Sequence, residues 1–215
     1  MIPPACPPGQ RLERGALLGF GRVVGIAGTG SNAGKTTFAE SLIARLSARG
    51  LRVGALKVTR AHSGECPVGD AHCLVCGSAG TTFRIVNHGP TLSQPGKDTG
   101  RYVAAGATHV LWLITSPESV RDGLAAILSR FPALDVLVAE GNSFCDYVSG
   151  DVLVLVAGTG KPKPSVAPLL PRVTHVIATN ESHDALTQRG LSVPGHVSIA
   201  SAAKCLDAVA AFIAG

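Results

Sequence analysis

A glycine-rich turn that ends in lysine and threonine carries the residue types that bind phosphate. The stretch GIAGTGSNAGKTTFAE, residues 25–40, lies between an apolar run and apolar residues at helical spacing. In such a turn the backbone N–H groups face the anion, and the start of the helix adds positive potential. Lys35 would meet the β- and γ-phosphates, and the hydroxyl of Thr36 would bind Mg²⁺. We therefore predict a P-loop, whose nucleotide-contacting residues are Gly30, Ser31, Asn32, Ala33, Gly34, Lys35, Thr36 and Thr37.

The first glycine of this turn is displaced from its usual place. Counted back from Lys35, the motif G-x-x-x-x-G-K-[ST] expects a glycine at position 29, where the chain has Thr29 between Gly28 and Gly30. The stretch GTGSNAGKTT resembles the loops of the dethiobiotin synthetase, cobyric acid synthase and ParA/MinD-like group of P-loop proteins. The resemblance does not choose among the members of that group.

Three polar residues end apolar runs that predict strands. Lys57 ends LRVGALK, where ligands bind in open α/β sheets, and would neutralise a phosphate or an acidic substrate; a solvated lysine is the alternative. Glu140 ends LDVLVAE and would be the second Mg²⁺ anchor, unless it simply faces solvent. Asn180 ends VIATN, at a position that reads the base in related folds, but a turn that caps the next helix explains it equally well.

A histidine and three cysteines lie close together in residues 62–76. A C-x₂-C pair places two thiolates on one tight turn, so this segment predicts a Cys₃His zinc site or an iron–sulfur cluster. The alternatives are a reduced loop without metal or a redox pair. The candidate ligands are His62, Cys66, Cys73 and Cys76, with His72 and Cys145 as rivals for the fourth position. Cys205 lies on an apolar helix, where we expect it to pack in the core.

The elements that must position these residues alternate between strands and helices. Continuous apolar runs without polar alternation mark strands that are buried on both faces. The predicted fold is therefore α/β, a mostly parallel central sheet with helices on both faces, as in P-loop NTPases. The predicted strands are 22–27, 51–57, 109–115, 134–140, 151–157, 174–180 and 196–200, with one more at 83–87; the predicted helices cover about 38–50, 117–130, 181–190 and 202–214.

The sequence predicts one nucleotide-binding domain over residues 21–215, preceded by a loose arm over residues 1–20. Residues 58–100, which hold the cysteines, break the alternation and form an irregular, functional insertion after the second strand. No apolar run approaches the about 18 residues that span a bilayer, and the N-terminus lacks the features of a signal peptide, so we expect no membrane contact and a cytoplasmic protein. The net charge of +5 is too diffuse to predict nucleic-acid binding.

The segment PGKDTGRYVAAGA, residues 95–107, resembles the P-G-K-D-[ST]-x-R-x-x-x-A-G-A motif of the molybdopterin-guanine dinucleotide biosynthesis adapter (MobB) family. That family also has a P-loop, a lysine that ends the second strand and a later E-G that ends a strand. The resemblance implies a GTP-binding, weakly hydrolytic homodimer that assists the attachment of GMP to molybdopterin, with a protein partner in cofactor biosynthesis. It adds Lys97, Asp98 and Arg101 to Gly34, Lys35, Thr36, Lys57 and Glu140 as functional candidates.

Two segments depart from that family. The family's E-G precedes an aromatic residue and a lysine, whereas this chain continues as EGNSF; and KPKPS, residues 161–165, is instead similar to the dethiobiotin and cobyric acid synthetases. The second hypothesis is therefore an ATP-dependent ligase of the dethiobiotin synthetase type, in which Lys57 holds an acyl phosphate or carbamate. A ParA-like switch is the third, and the absence of an early lysine in the P-loop weakens it.

Overall fold

An eight-stranded sheet forms the centre of the molecule. The computed structural model describes residues 11–12, 17–61, 75, 82–178, 186, 191 and 198–215. Within them the strand order is β3-β4-β2-β5-β1-β6-β7-β8, and every neighbouring pair is parallel except β3 and β4. The strands are β1 (Phe20–Gly28), β2 (Val53–Arg60), β3 (Phe83–Val86), β4 (His109–Thr115), β5 (Leu134–Glu140), β6 (Val152–Val156), β7 (His175–Ile177) and β8 (Ser198–Ala200).

Helices cover both faces of this sheet. One face packs against α1, α3 and α6 through residues such as Leu42, Tyr102 and Val209. The other packs against α4, α5 and a 3₁₀ segment through Leu124, Phe144 and Leu169 among others. The helices are α1 (Lys35–Ser47), α2 (Gly89–Leu92), α3 (Asp98–Ala104), α4 (Val120–Leu128), α5 (Asn142–Tyr147) and α6 (Ala202–Ala214), with 3₁₀ turns at Pro117–Ser119 and Pro164–Arg172.

The predicted α/β class and mostly parallel sheet are thus confirmed. The central strands are apolar on both faces because neither face meets water, which is why their sequences lack polar alternation. At the carboxyl edge of the sheet, β1 lies between β5 and β6 and leads into the P-loop, and the last residue of β5, Glu140, pairs with Lys57 of β2. In open α/β sheets this edge binds ligands.

Several boundaries differ from those predicted. The sequence predicts a loose arm to residue 20, whereas β1 begins at Phe20 and Leu12 pairs with Val148, because Leu12 and Leu17 have apolar side chains that the core buries. The predicted irregular insertion over 58–100 is ordered at both ends: β2 continues to Arg60, β3 lies on the sheet edge, and α3 begins at Asp98.

Some predictions fall outside the described residues. They include the ligands of the cysteine loop, namely His62, Cys66, Cys73 and Cys76, together with His72, Asn180 and most of the helix predicted over 181–190. Among the helices that are described, none combines the length and the apolar character needed to cross a bilayer.

Candidate nucleotide site

The turn between β1 and α1 adopts a backbone that its sequence explains. Gly34 precedes the first helical residue at φ 97°, a left-handed conformation that favours glycine, and Asn32 also has a positive φ of 58°. The Phe38 N–H donates to the Gly34 carbonyl at 3.0 Å, which starts α1 directly after the turn. The ammonium of Lys35 folds back and donates to the Gly30 carbonyl at 3.0 Å. The P-loop lysine, Lys35, therefore lies inside the curve of the loop.

Glu140 lies beside the P-loop at the end of β5. It pairs in register with Ile26 of β1 and with Lys57 of β2, so sheet pairing alone brings the lysine and the carboxylate together. Its Oε1 accepts from Lys57 Nζ at 2.5 Å, and its Oε2 accepts from Thr36 Oγ1 at 2.9 Å. The Glu140 side chain is 2% exposed, which its close donors make tolerable.

The glycine after Glu140 is required by the backbone. Gly141 has φ 146°, and a Cβ atom there would lie 2.7 Å from the Val58 carbonyl oxygen. Only glycine allows the end of β5 to approach β2 this closely. The E-G pair of the sequence therefore combines a carboxylate that faces the P-loop with a glycine that the backbone requires.

Helix α3 brings a second carboxylate to Lys57. Asp98, the first residue of α3, lies with Oδ2 2.6 Å from Lys57 Nζ. Burial alone would lower the pKa of Lys57, but Glu140 and Asp98 outweigh burial, so its pKa lies above the ordinary value. Burial alone would raise the pKa of Asp98, but the Lys57 cation overcomes it and holds that pKa below the ordinary value. Lys57 and Asp98 are therefore both charged at neutral pH.

Tyr102 is a member of the site that the sequence analysis did not single out. Its hydroxyl donates a short hydrogen bond to Glu140 Oε2, and the side chain is buried. Burial, together with the neighbouring Glu140, raises the pKa of Tyr102, so the hydroxyl keeps its proton. The helical spacing from Asp98 to Tyr102 in PGKDTGRY was the available signal, since residues four apart lie on one helix face.

Arg101 ties α3 to the start of α1. Its Nη2 donates to Glu40 Oε2 at 2.6 Å and to Thr37 Oγ1 at 3.1 Å, and its Nε donates to Glu40 at 3.1 Å. The PGKD segment is thus a helix whose side chains reach the P-loop helix. Lys97, just before α3, is exposed and lies outside the cleft described next.

A cleft of about 450 Å³ opens where these elements meet. Burial lowers the pKa of Lys35 from its ordinary value, with Glu140 opposing and Lys57 and Lys163 adding to the effect. Every predicted catalytic residue lies in this cleft, and the predicted P-loop contacts are on its wall or next to it. Its lining residues are Ser31, Asn32, Gly34, Lys35, Thr36, Thr37, Lys57, Asp98, Arg101 and Glu140.

The oxygen groups in this cleft fit a magnesium ion. The hydroxyl of Thr36 and the carboxylate of Glu140 are hard oxygen donors only 2.9 Å apart, and Mg²⁺ uses one or two such groups together with substrate phosphates. Among the described residues, no group of three or more His, Cys, Asp or Glu side chains could hold a metal by themselves.

The two described cysteines are core residues. Cys145, a predicted rival for the fourth metal ligand, is 1% exposed, and its Sγ would lie 3.0 Å from a Cβ at Gly25. Burial raises the pKa of Cys145 to about 12, which disfavours the thiolate that a metal requires. Helix α5 thus turns the Cys145 side chain into the core, where it packs next to Gly25. The predicted packing role of Cys205 is confirmed.

Comparison with known proteins locates the same segment. Residues 23–70 match the family model described as molybdopterin guanine dinucleotide synthesis protein B. This match spans most of β1, the P-loop, α1 and β2 with Lys57. None of the curated proteins matches the chain.

Two solved structures are similar to the chain at low identity. LpxK from Aquifex aeolicus, in complex with ATP, is 14% identical with a TM-score of 0.43 over 83% of this chain and 52% of its own, so the chain spans about half the length of LpxK. A nucleotide-binding protein from Archaeoglobus fulgidus, in complex with ADP, is 12% identical with a TM-score of 0.39 over 93% of this chain and 90% of its own.

The family match and the geometry agree on the part of the chain that binds the nucleotide. The matched residues contain the P-loop residues Lys35 and Thr36 together with Lys57 of β2, and Glu140 accepts hydrogen bonds from Thr36 and Lys57 in the cleft. The resemblance found in the sequence is confirmed over residues 23–70, where the P-loop segment of this chain is similar to that of the MobB family model.

Proposed function

We propose that the chain binds a nucleoside triphosphate with Mg²⁺, with GTP favoured over ATP, and hydrolyses it slowly as a MobB-like accessory protein of metallocofactor biosynthesis. One observation carries the proposal. The oxygen atoms of Thr36 and Glu140 lie 2.9 Å apart in a cleft that also holds the ammonium groups of Lys35 and Lys57. Two cations and two metal-binding oxygens are the groups that a magnesium–triphosphate complex needs.

Different residues of the cleft would bind different parts of the nucleotide. The backbone of residues 30–36 and the Lys35 ammonium bind the β- and γ-phosphates, and Thr37 at the start of α1 binds the α-phosphate side. Thr36 and Glu140 hold Mg²⁺, which neutralises charge on the phosphates when it is bound. Lys57, which pairs with Glu140 and Asp98 in this structure, would face the terminal phosphate from β2. Asn180 remains a candidate for contacting the base. Lys97 remains a candidate for attracting the phosphates.

Hydrolysis in this arrangement depends on positioning. A water molecule attacks the terminal phosphorus, the bond to the β-phosphate bridging oxygen breaks, and the products are the nucleoside diphosphate and inorganic phosphate. Asp98 is anionic and partly exposed in the cleft, so it can orient that water. Lys35 and Lys57 stabilise the charge that develops on the phosphoryl oxygens. We expect a slow rate because, in the part of the chain that the structure describes, no further cation is assigned to the bridging oxygen, and a partner would have to supply it.

The coupled process is the assembly of a molybdenum or other metallocofactor in the cytoplasm, by a homodimer that works with a protein partner. The family match over residues 23–70 supports this assignment. The loop with Cys66, Cys73 and Cys76 would hold zinc or an iron–sulfur cluster. Metal analysis and a visible spectrum of anaerobically purified protein test that part, with a Cys73→Ser/Cys76→Ser double variant as the control that should lose the metal.

An ATP-dependent ligase of the dethiobiotin synthetase type is the second candidate. The observation in its favour is the position of Lys57, whose ammonium lies in the cleft between two carboxylates and could hold an acyl phosphate or carbamate. A small carboxylate or amine would be its co-substrate. Stabilisation by ATP that increases with a dicarboxylate or amine would select the ligase and exclude the GTP-dependent function.

Titration calorimetry with GTP and ATP, with Mg²⁺ or with a chelator, tests the proposal. We expect binding of GTP–Mg²⁺, weaker binding without metal, and loss of binding in Lys35→Ala. Lys161→Ala is the matched control, because Lys161 is an exposed lysine outside the cleft lining. A ligand at about a hundredfold excess over Kd should raise the free energy of unfolding by about 2.7 kcal/mol. Absence of binding to either nucleotide would contradict the proposal.

A further inference from the structure

The loop that follows β6 is attached to the P-loop at Thr29. The Thr29 N–H donates to the Val156 carbonyl at 3.0 Å, and its carbonyl accepts from the Lys163 N–H at 2.7 Å. Its hydroxyl oxygen accepts from the Gly158 N–H at 2.8 Å. Thr29 is 1% exposed, and a Cβ at Gly158 would lie 3.3 Å from that of Ala33. The backbone of residues 158–163 is therefore pressed against the P-loop.

Asn142 attaches the far end of the same loop. Its Oδ1 accepts from the Gly28 N–H at 2.9 Å, while its Nδ2 donates to the Gly28 carbonyl and to Ser165 Oγ, each at 3.0 Å. Asn142 is the residue after E-G, and Ser165 ends KPKPS. The two segments that depart from the family pattern are therefore in direct contact, and together they hold the loop at both ends.

This attachment places a lysine next to the phosphate-binding turn. Lys163 Nζ lies 3.2 Å from Ser31 Oγ, and Ser31 lines the nucleotide cleft. Lys35 Nζ reaches the carbonyl of Gly30, the neighbouring residue, from inside the turn. Two ammonium groups thus converge on residues 30 and 31 from different sides. Such an arrangement is repulsive until an anion is bound between them.

We propose that Lys163 is a further nucleotide-binding residue, which contacts the terminal phosphate of the bound triphosphate from the loop after β6. The inference rests on the proposed function and adds a contact to it. The terminal phosphate is the one expected at Gly30 and Ser31, since the Lys35 ammonium that meets the β- and γ-phosphates lies there, whereas Thr36 and Thr37 are on the helix side. The P-loop itself has only Lys35 and β2 contributes Lys57, so Lys163 adds a further cation at Ser31 from another part of the same chain.

Thr29 acts as a positioning residue for this lysine. A glycine, the usual residue at this place in the motif, would have no hydroxyl to accept from the Gly158 N–H. The departure from the common P-loop spacing therefore has a physical consequence in this chain: Thr29 holds the loop that carries Lys163.

Comparison of triphosphate and diphosphate affinities tests the role of Lys163. We expect Lys163→Ala to weaken binding of GTP by about tenfold, the loss of one charge-assisted hydrogen bond, and binding of GDP by less than about twofold. Lys163→Arg should keep most of the difference between the affinities for GTP and GDP. Lys161→Ala, two residues away, should change neither affinity. Equal losses for GTP and GDP, or none, would overturn the inference while leaving the proposed function intact. An unsubstituted chain that binds neither nucleotide would overturn both.

A second pair of variants tests the positioning role. Thr29→Val removes the hydroxyl at nearly constant volume, whereas Thr29→Ser keeps it. We expect Thr29→Val to reduce the preference for GTP over GDP towards that of Lys163→Ala, and Thr29→Ser to retain it. Circular dichroism checks that the Thr29→Val protein is folded. An unchanged preference of that protein for GTP over GDP would contradict a role for Thr29 in placing Lys163.

Discussion

Glu140 links the groups of the candidate site at the residue scale. Its oxygens accept from Lys57, Thr36 and Tyr102, and its side chain is almost fully buried. A buried carboxylate needs a cation or several donors, because removal from water costs several kcal/mol per ion. Removing one of these groups should therefore cost more stability than removing the charged pair together.

Lys57→Met should destabilise the protein by about 3 kcal/mol, because it leaves the Glu140 carboxylate buried without its cation. In Lys57→Met/Glu140→Gln the uncompensated charge is gone, and the amide oxygen still accepts from Thr36 and Tyr102. The double variant should therefore be more stable than Lys57→Met alone, as measured by urea unfolding. A double variant as unstable as the sum of the two single variants would show that the two side chains are not coupled.

Asp98 gives the site a dependence on pH. Its pKa is lowered in the folded state, so its pairing with Lys57 stabilises the protein above the unfolded pKa near 3.8, and that stabilisation is lost as the pH falls through the folded value. The difference in unfolding free energy between the wild type and Asp98→Asn should be constant from about pH 7 to 5 and shrink below about pH 4. A difference that grew on acidification would contradict the ion pair; Asp122→Asn on α4 is the control.

At the scale of elements, the sheet edge depends on a close approach between β5 and β2. Gly141→Ala should destabilise the protein by about 2 kcal/mol, because it combines an unfavourable φ with a Cβ next to the Val58 carbonyl. Gly160→Ala is the matched control, since a Cβ there meets nothing within 4 Å. Thermal unfolding of both variants measures the difference. Equal stability of the two proteins would show that the end of β5 can relax.

The strands and long helices were predictable because their signals are local. The predicted bounds of β4, β5 and α6 agree with the structure to the residue, since continuous apolar runs and a helical repeat define them. The short helices α3 and α5 were missed. Their sequences DTGRYVA and NSFCDY have too few turns for a periodic pattern, and tertiary packing against β2, β4 and the P-loop strand stabilises them.

The residues of the site were predictable where a charged or hydroxyl side chain follows a motif or ends an apolar run. Lys35, Thr36, Lys57 and Glu140 follow from motif and position, and the register between β2 and β5 brings the last two together. Thr29 and Asn142 were not predictable, because each acts through the backbone of a segment more than 110 residues away in the chain. The sequence indicates which groups exist, but only the folded chain indicates which of them meet.

On the scale of the whole molecule, the sheet separates two layers of buried apolar side chains, one on each of its faces. One contains Ile43 on α1, and the other contains Ile127 on α4; both side chains are fully buried. Because the layers lie on opposite faces, a small cavity in one cannot be filled by movement of the other. The molecule is therefore expected to tolerate defects in the two layers independently while it unfolds as one unit.

Ile43→Val and Ile127→Val should each lower the free energy of unfolding by about 1 kcal/mol, the usual effect of removing one buried methylene. The double variant should show the sum to within about 0.5 kcal/mol, because the two sites share no packing partners across the sheet. Guanidinium unfolding, followed by far-ultraviolet circular dichroism and by Trp112 fluorescence, measures these values. Ile43→Val combined with Val209→Ala, from the contacting helices α1 and α6, is the comparison in which additivity should fail. Strong coupling between Ile43 and Ile127 would instead mean that the sheet transmits packing changes from one layer to the other, and so from the P-loop helix to the opposite face.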